Sequence, residues 1–239
     1  MNSQLWDQAV APSQAAINAA FTDAMARVYL WMTGGLLLTT GVATVVAMNP
    51  GIQQAIFSNS LTFFLLIGAQ LGLVLIISFA INKLAPSTAL GLFFLYSGLT
   101  GLTLSTIFLV YDLGTSGLAF GAAASLFAGL SLVGLTTKKD LTRLGPILFA
   151  SLLGLIVASV ANWFLQSSAL EWVVSFAGVI IFAGLTVYDS KQIKEMTAGA
   201  ILQGDTLVVQ RIGIIGALKL YLDFLNMFLF ILRIMGGRR

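Results

Sequence analysis

The chain has 239 residues, of which 58% are hydrophobic and 9% charged, with a mean hydropathy of +0.97 and a formal net charge of +3. A typical soluble domain carries about 25% charged residues, so water-soluble folds are excluded, and the small basic excess is what orients a membrane protein rather than what binds nucleic acid. The absence of cysteine and histidine excludes disulfides, thiolate chemistry and histidine-based zinc, haem or acid–base sites, leaving carboxylates, Lys, Arg, hydroxyls and amides for any chemistry.

Residues 1–27 contain Asp7, Asp23 and one basic residue, Arg27. A signal peptide starts basic and passes directly into a short apolar core, so this stretch reads as an uncleaved N-terminal cytoplasmic segment before a single membrane domain over residues 28–239. Seven apolar segments follow: residues 28–48, 61–81, 89–111, 118–135, 147–165, 172–188 and 212–235. Each approaches the roughly 20 residues that cross a hydrocarbon core as a helix, and each is too long for a barrel strand. The first six contain no Asp, Glu, Lys or Arg. Pro50, Pro86 and Pro146 fall in or beside the breaks, and Asn49-Pro50-Gly51 reads as a turn between the first two spans. The expected fold is all-α and integral to the membrane, with seven transmembrane helices.

The connecting loops alternate in charge. Arg27, Lys83, Lys138, Lys139, Arg143, Lys191, Lys194 and Arg211 all lie on one side and no Lys or Arg on the other, eight against none. The positive-inside rule then places the N-terminus and loops two, four and six in the cytoplasm. Arg238 and Arg239 break the pattern: a full seventh span carries them outside, whereas a re-entrant one returns them, and the charges leave both open.

Two small-residue pairs, Gly68-x-x-x-Gly72 and Gly117-x-x-x-Gly121, allow close helix approach; packing within the chain is the preferred reading over a dimer face. Tyr29, Trp31, Trp163 and Trp172 stand at span ends, where amphipathic rings anchor at the headgroup level.

Against six charge-free spans, the seventh holds Lys219, Asp223 and Arg233. Arg233 is near the end and can snorkel to the interface. Lys219 and Asp223 are deeper, and ionisable groups at such depth mark function by default. The bland alternative is that the two, one turn apart on the same helix face, neutralise each other. Asp189, at the end of the sixth span in GLTVYDSKQIK, favours a functional pair. Two carboxylates brought close in low dielectric cannot both ionise easily, so they share a proton, and such a dyad can sense pH or exchange its proton for a divalent cation. Calcium takes oxygen ligands, which this chain has, so Asp189 and Asp223 are also the candidate calcium ligands. The geometry contains a tension. Asp189 lies near the cytoplasmic boundary, and Asp223 lies roughly 16 Å along its helix from residue 212. The two meet only if the seventh helix starts later than residue 212 or the sixth begins earlier, near Ser168.

GLTVYDSKQI followed by GALKLYLDFLNMFLFILRIMGGRR resembles the paired signature of the transmembrane Bax inhibitor motif family, in its bacterial branch. YLWMTGGLLLT, LYSGLTGLTLSTIFLVY and TTKKDL extend the likeness over nearly the whole chain. The resemblance implies seven helices with the C-terminal one central within two three-helix groups, in a bacterial inner (plasma) membrane. It also implies a pH-sensitive calcium leak whose sensor is an aspartate pair, here Asp189 and Asp223. Bacterial relatives carry an Arg near the cytoplasmic end of the second span that latches the sixth-span aspartate. This chain has Ile81 or Asn82 there, with Lys83 the nearest cation, and Gln70 where those relatives have an acidic residue. Lys83 or Lys219 is therefore the candidate ion-pair partner, and Gln70, Asn82 and Asn226 are candidate pore-lining polar residues.

The leading expectation is thus a cation leak, for calcium, gated by protonation. Its partners are the lipid bilayer, calcium and protons, and no resident cofactor is expected. The alternative is a non-transporting regulator that binds other membrane proteins in stress or quality control. No enzymatic activity is expected: a Ser–His intramembrane protease lacks its His, and a retinal Schiff base on Lys219 lacks a counter-ion in the third span.

Overall fold

The computed structural model describes residues 13–236, which contain helices and no strands. Residues 1–12 and 237–239, Arg238 and Arg239 among them, lie outside the described residues. Nine helices are found among the described residues: α1 (Gln14–Ala47), α2 (Pro50–Phe57), α3 (Ser60–Ala80), α4 (Pro86–Leu104), α5 (Ile107–Val110), α6 (Leu113–Thr136), α7 (Leu144–Leu165), α8 (Ser168–Leu202) and α9 (Thr206–Met235). Seven of the resulting segments, with α4 and α5 together making one, are long and apolar enough to cross a membrane.

The boundaries follow local chemistry. Ser13 caps α1 by accepting the Ala16 amide, so the helix starts at Gln14 and passes Arg27 without a break. The described part of the expected N-terminal segment is therefore the first half of α1, and Ala24, Met25 and Val28 are buried along it. The Asn49-Pro50-Gly51 turn is corrected to the start of α2, with Pro50 in the first turn where its missing amide costs nothing. The third span is not continuous. Ser105 and Thr106 turn their hydroxyls onto the carbonyls of Leu102 and Thr103, and such side-chain competition for backbone acceptors breaks the helix into α4 and α5.

The two C-terminal helices depart most from the apolar windows. α8 begins at Ser168, capped by Ser167, and runs for 35 residues to Leu202. α9 begins at Thr206, capped by Asp205, and runs uninterrupted for 30 residues, so the seventh span is complete and not re-entrant. Between them Gly204 takes φ +70°, its amide bonds to the Ile201 carbonyl, and the Asp205 amide reaches back to Ala200. This left-handed helix stop favours Gly.

The helix α9 is central. Its buried residues run from Gly213 to Leu232 over all sides of the helix, and it packs against α1, α4, α6 and α8. One group of three comprises α1, α3 and α4, the other α6, α7 and α8. At the centre, Tyr221 meets the edges of Phe93 and Tyr96, while Phe224 is met by Phe120 and Phe127 of α6.

Two sequence readings are corrected by this packing. A Cβ added to Gly68, Gly72, Gly117 or Gly121 would meet nothing within 4 Å, so these glycines do not sit at contacts within the chain. Close approach occurs instead at glycines such as Gly134, whose Cβ would come 2.5 Å from the Val187 carbonyl oxygen. Of the four proposed anchors, Trp163 and Trp172 are exposed. Tyr29 bonds Ser131 at 2.5 Å and Trp31 covers Gly213, so both serve the core.

Candidate functional site

The site is assembled by the α8–α9 hairpin. Asp189 and Lys219 lie symmetrically about Gly204 in the connecting turn, so the antiparallel helices bring them to one level. Lys219 Nζ donates to Asp189 Oδ1 at 3.0 Å and to Gln192 Oε1 at 2.7 Å. Both acceptors are on α8, one turn apart. Asp223 lies one helical turn deeper on α9, is 4% exposed, and its Oδ2 has no hydrogen-bond partner. It interacts electrostatically with both Asp189 and Lys219. The depth tension in the sequence disappears because α8 does not end at Asp189. It starts at Ser168 and continues well past Asp189, carrying its partner helix with it, although α9 starts earlier than residue 212 rather than later.

A single ammonium thus stands among two carboxylates. Lys219 turns across to α8 instead of pairing along its own helix with Asp223. Lys83 is exposed in the α3–α4 connection, and Lys219 is the cation that meets Asp189. Gln192 supplies an acceptor that sequence reading missed, although its place one turn beyond Asp189 in VYDSKQIK puts it on the same face.

The polar candidates outside this set have other partners. Gln70 Nε2 bonds Thr103 Oγ1 at 2.5 Å, joining α3 to α4. Asn226 bonds the Leu222 carbonyl of its own helix. Asn82 is exposed beside Lys83. Calcium takes six to eight oxygen ligands, and among the described residues no group of three or more acidic side chains gathers to supply them. In this arrangement one oxygen of Asp189 is taken by Lys219.

Three further contacts fasten the helix ends near the α8–α9 turn. Lys194 Nζ donates to the Leu135 carbonyl at 2.6 Å and Lys191 Nζ to the Lys139 carbonyl, tying α8 to the last turn of α6 and to the α6–α7 connection. Cations suit the carbonyl-rich end of a helix such as α6. Arg211 of α9 donates to the Leu84 carbonyl at 3.2 Å, holding the α3–α4 connection. Beside Lys191, a cavity of about 180 Å³ is lined by Asp140, Tyr188, Gln192 and Glu195 among others, so Gln192 contacts both this cavity and Lys219.

Comparison with known proteins agrees with this architecture. A family model described as "Inhibitor of apoptosis-promoting Bax1" matches residues 22–239. The chain is 47% identical over 215 residues to inner membrane protein YbhL of Escherichia coli, covering 90% of this chain and 92% of that protein. It is 46% identical to an uncharacterized protein of Borreliella burgdorferi, covering 90% and 92% of the two chains, and 41% identical to one of Deinococcus radiodurans, covering 90% of each. With the match spanning nearly the whole seven-span chain, the protein belongs to the family of inhibitors of apoptosis-promoting Bax1.

Proposed function

We propose that the protein is a pH-sensitive cation leak, with calcium as its cargo, gated by protonation of Asp189 and Asp223. We place it in the bacterial inner membrane with its N-terminus in the cytoplasm, a reading supported by the likeness to YbhL and by the one-sided distribution of basic loop residues. The observation that carries the gating is the Asp189–Lys219–Asp223 set, with Asp223 Oδ2 buried and without a partner. In an apolar setting two carboxylates and one ammonium balance when a single proton joins them.

In the closed arrangement Lys219 is the latch, bonded to Asp189 and Gln192 and so holding α9 against α8. A further proton on Asp189 removes the charge that Lys219 pairs with. An unpaired ammonium in that position is costly, so Lys219 swings toward water, and the cytoplasmic end of the hairpin loosens. A hard cation that prefers oxygen then meets the Asp223 carboxyl on α9. The cavity at Gln192 and Glu195 gives protons from the cytoplasmic side a short way to the latch.

The test is calcium entry into liposomes of the purified full-length protein over a pH series. The parent is expected to leak faster as pH falls, and Asp189→Asn and Asp223→Asn to flatten that dependence. If both variants follow the parent at every pH, the gate is wrong. A parent that passes no cation at all, while crosslinking to a stable membrane partner, would establish the non-transporting regulator instead.

A further inference from the structure

A crevice separate from the aspartate site opens between the two helix groups. It has a volume of about 320 Å³ and lies among α1, the α4–α5 break, α6 and α9, with Leu36, Thr40, Leu104, Ser116, Phe120 and Phe224 on its walls. Its surroundings face the bilayer: Leu113 is 75% and Leu118 68% exposed. Ser116 is 7% exposed, lines the crevice, and its hydroxyl has no hydrogen-bond partner.

We propose that this crevice binds one acyl chain of a bilayer phospholipid, with the Ser116 hydroxyl donating to the ester carbonyl of that chain. The apolar walls suit a hydrocarbon chain and keep water out. A volume at the small end of the roughly 300–1,000 Å³ typical of ligand sites admits a chain but no headgroup. The hydroxyl fixes the polarity of the occupant, because a buried polar group without a partner is unfavourable. Ser116 lies four residues, about 6 Å of helix rise, inside the exposed cap residue Asp112. That is the depth at which the hydrocarbon core gives way to the interfacial layer, where ester carbonyls reside. The chain then runs inward past Thr40 and Phe120 toward Phe224, wedged between the two helix groups.

Gly117 offers a clean block. It lines the crevice, and a Cβ there meets nothing within 4 Å, so a large side chain can fill the space without moving the backbone. Gly154 on α7 is equally open and lies outside the crevice, which makes it the control. The full-length protein is reconstituted with phosphatidylethanolamine carrying a photoreactive diazirine on one acyl chain, irradiated, and its peptides mapped by mass spectrometry. Adducts are expected on residues 36–44 and 116–120 about tenfold above those on the lipid face of α7 at residues 147–160, a preference worth about 1.4 kcal/mol. Gly117→Phe abolishes that excess and Gly154→Phe keeps it. Thr40→Phe, on the opposite wall, gives the same block should Gly117→Phe fail to fold. Ser116→Ala lowers the excess about threefold, the size of one hydrogen bond. Labelling spread evenly over the lipid-facing helices, or an excess that survives both blocking variants, overturns the proposal.

Discussion

Lys219 and Asp189 face each other at 3.0 Å across the α8–α9 hairpin, although Lys219 and Asp223 share a helix face one turn apart. The cation that could have neutralised its own helix instead joins two helices, and this leaves Asp223 as the buried acid without a hydrogen bond to one oxygen.

Lys219→Met keeps the length and apolar stem of the side chain and removes the charge. It leaves Asp189, which is 7% exposed, without its cation. Removing one partner of an enclosed pair costs about 3–5 kcal/mol. The Lys219 side chain is 35% exposed, so a loss of about 2 kcal/mol is expected. Thermal unfolding in detergent measures it, and Asp189→Asn in the same background should restore part of the loss. No recovery would mean that the lysine contributes packing rather than charge.

Tyr221 tests the anchoring of the central helix. Thr39 Oγ1 donates to the Ser97 carbonyl at 2.8 Å, so the Tyr221 hydroxyl, 2.7 Å away, donates to Thr39. This chain of bonds runs from α9 through α1 to α4. Tyr221→Phe removes the donor and keeps the ring against Phe93 and Tyr96, so it should cost about 1 kcal/mol. Tyr221→Ala empties the centre and should cost about 3–5 kcal/mol. Equal midpoints for the two variants would show that the ring packing carries little.

The glycines separate into two behaviours. Gly134→Ala pushes a methyl into the Val187 carbonyl and the Ser190 Cβ at 2.5 and 2.8 Å. It must part α6 from α8, at about 1–3 kcal/mol. Gly68→Ala meets open space and should stabilise α3 slightly, by up to about 1 kcal/mol of helix propensity. Denaturation midpoints in one detergent compare them directly, and a neutral Gly134→Ala would contradict the close approach.

Asp112 gives a dependence on pH outside the spans. Its carboxylate accepts the Thr115 hydroxyl at 2.6 Å and the Thr115 amide at 2.8 Å, bonds that hold this carboxyl below the usual carboxylate range. A depressed folded value means that the cap contributes fully above the unfolded carboxylate pKa, about 3.9, and is lost as pH falls through the folded one. The stability gap between the parent and Asp112→Ala should therefore be widest at neutral pH and close in acid. The gap for Asp112→Asn should vary little with pH if Asn keeps an acceptor for the Thr115 amide. Melting curves from pH 7 down to pH 3 decide it, and a gap that widens in acid refutes the cap.

Much of the site was legible before its geometry. Asp189, Lys219 and Asp223 stand out because charge is scarce in these spans, and an isolated ionisable group in hydrocarbon is too costly to be incidental. Gln192 was not legible, since an amide beside charged residues looks like loop solvation until the partner helix is in place. The polar run from Lys191 to Leu202 fell outside the apolar window for the same reason. Within it Ile193 packs against Gly216 of α9 and Lys194 bonds the Leu135 carbonyl of α6, and hydropathy does not record such packing.

Sequence alone determined the solvent of this protein and the seven segments that enter it, because each apolar segment must satisfy its backbone within itself once it enters lipid; that the seventh is one unbroken helix was decided by the structure. The tertiary structure decided depth and partnership. The turn at Gly204 sets how far α8 and α9 slide past one another, and that offset puts Asp189 opposite Lys219 and sends Asp223 a turn further in. Helical periodicity tells which residues share a face, but the neighbour that each face meets is a property of the packed hairpin.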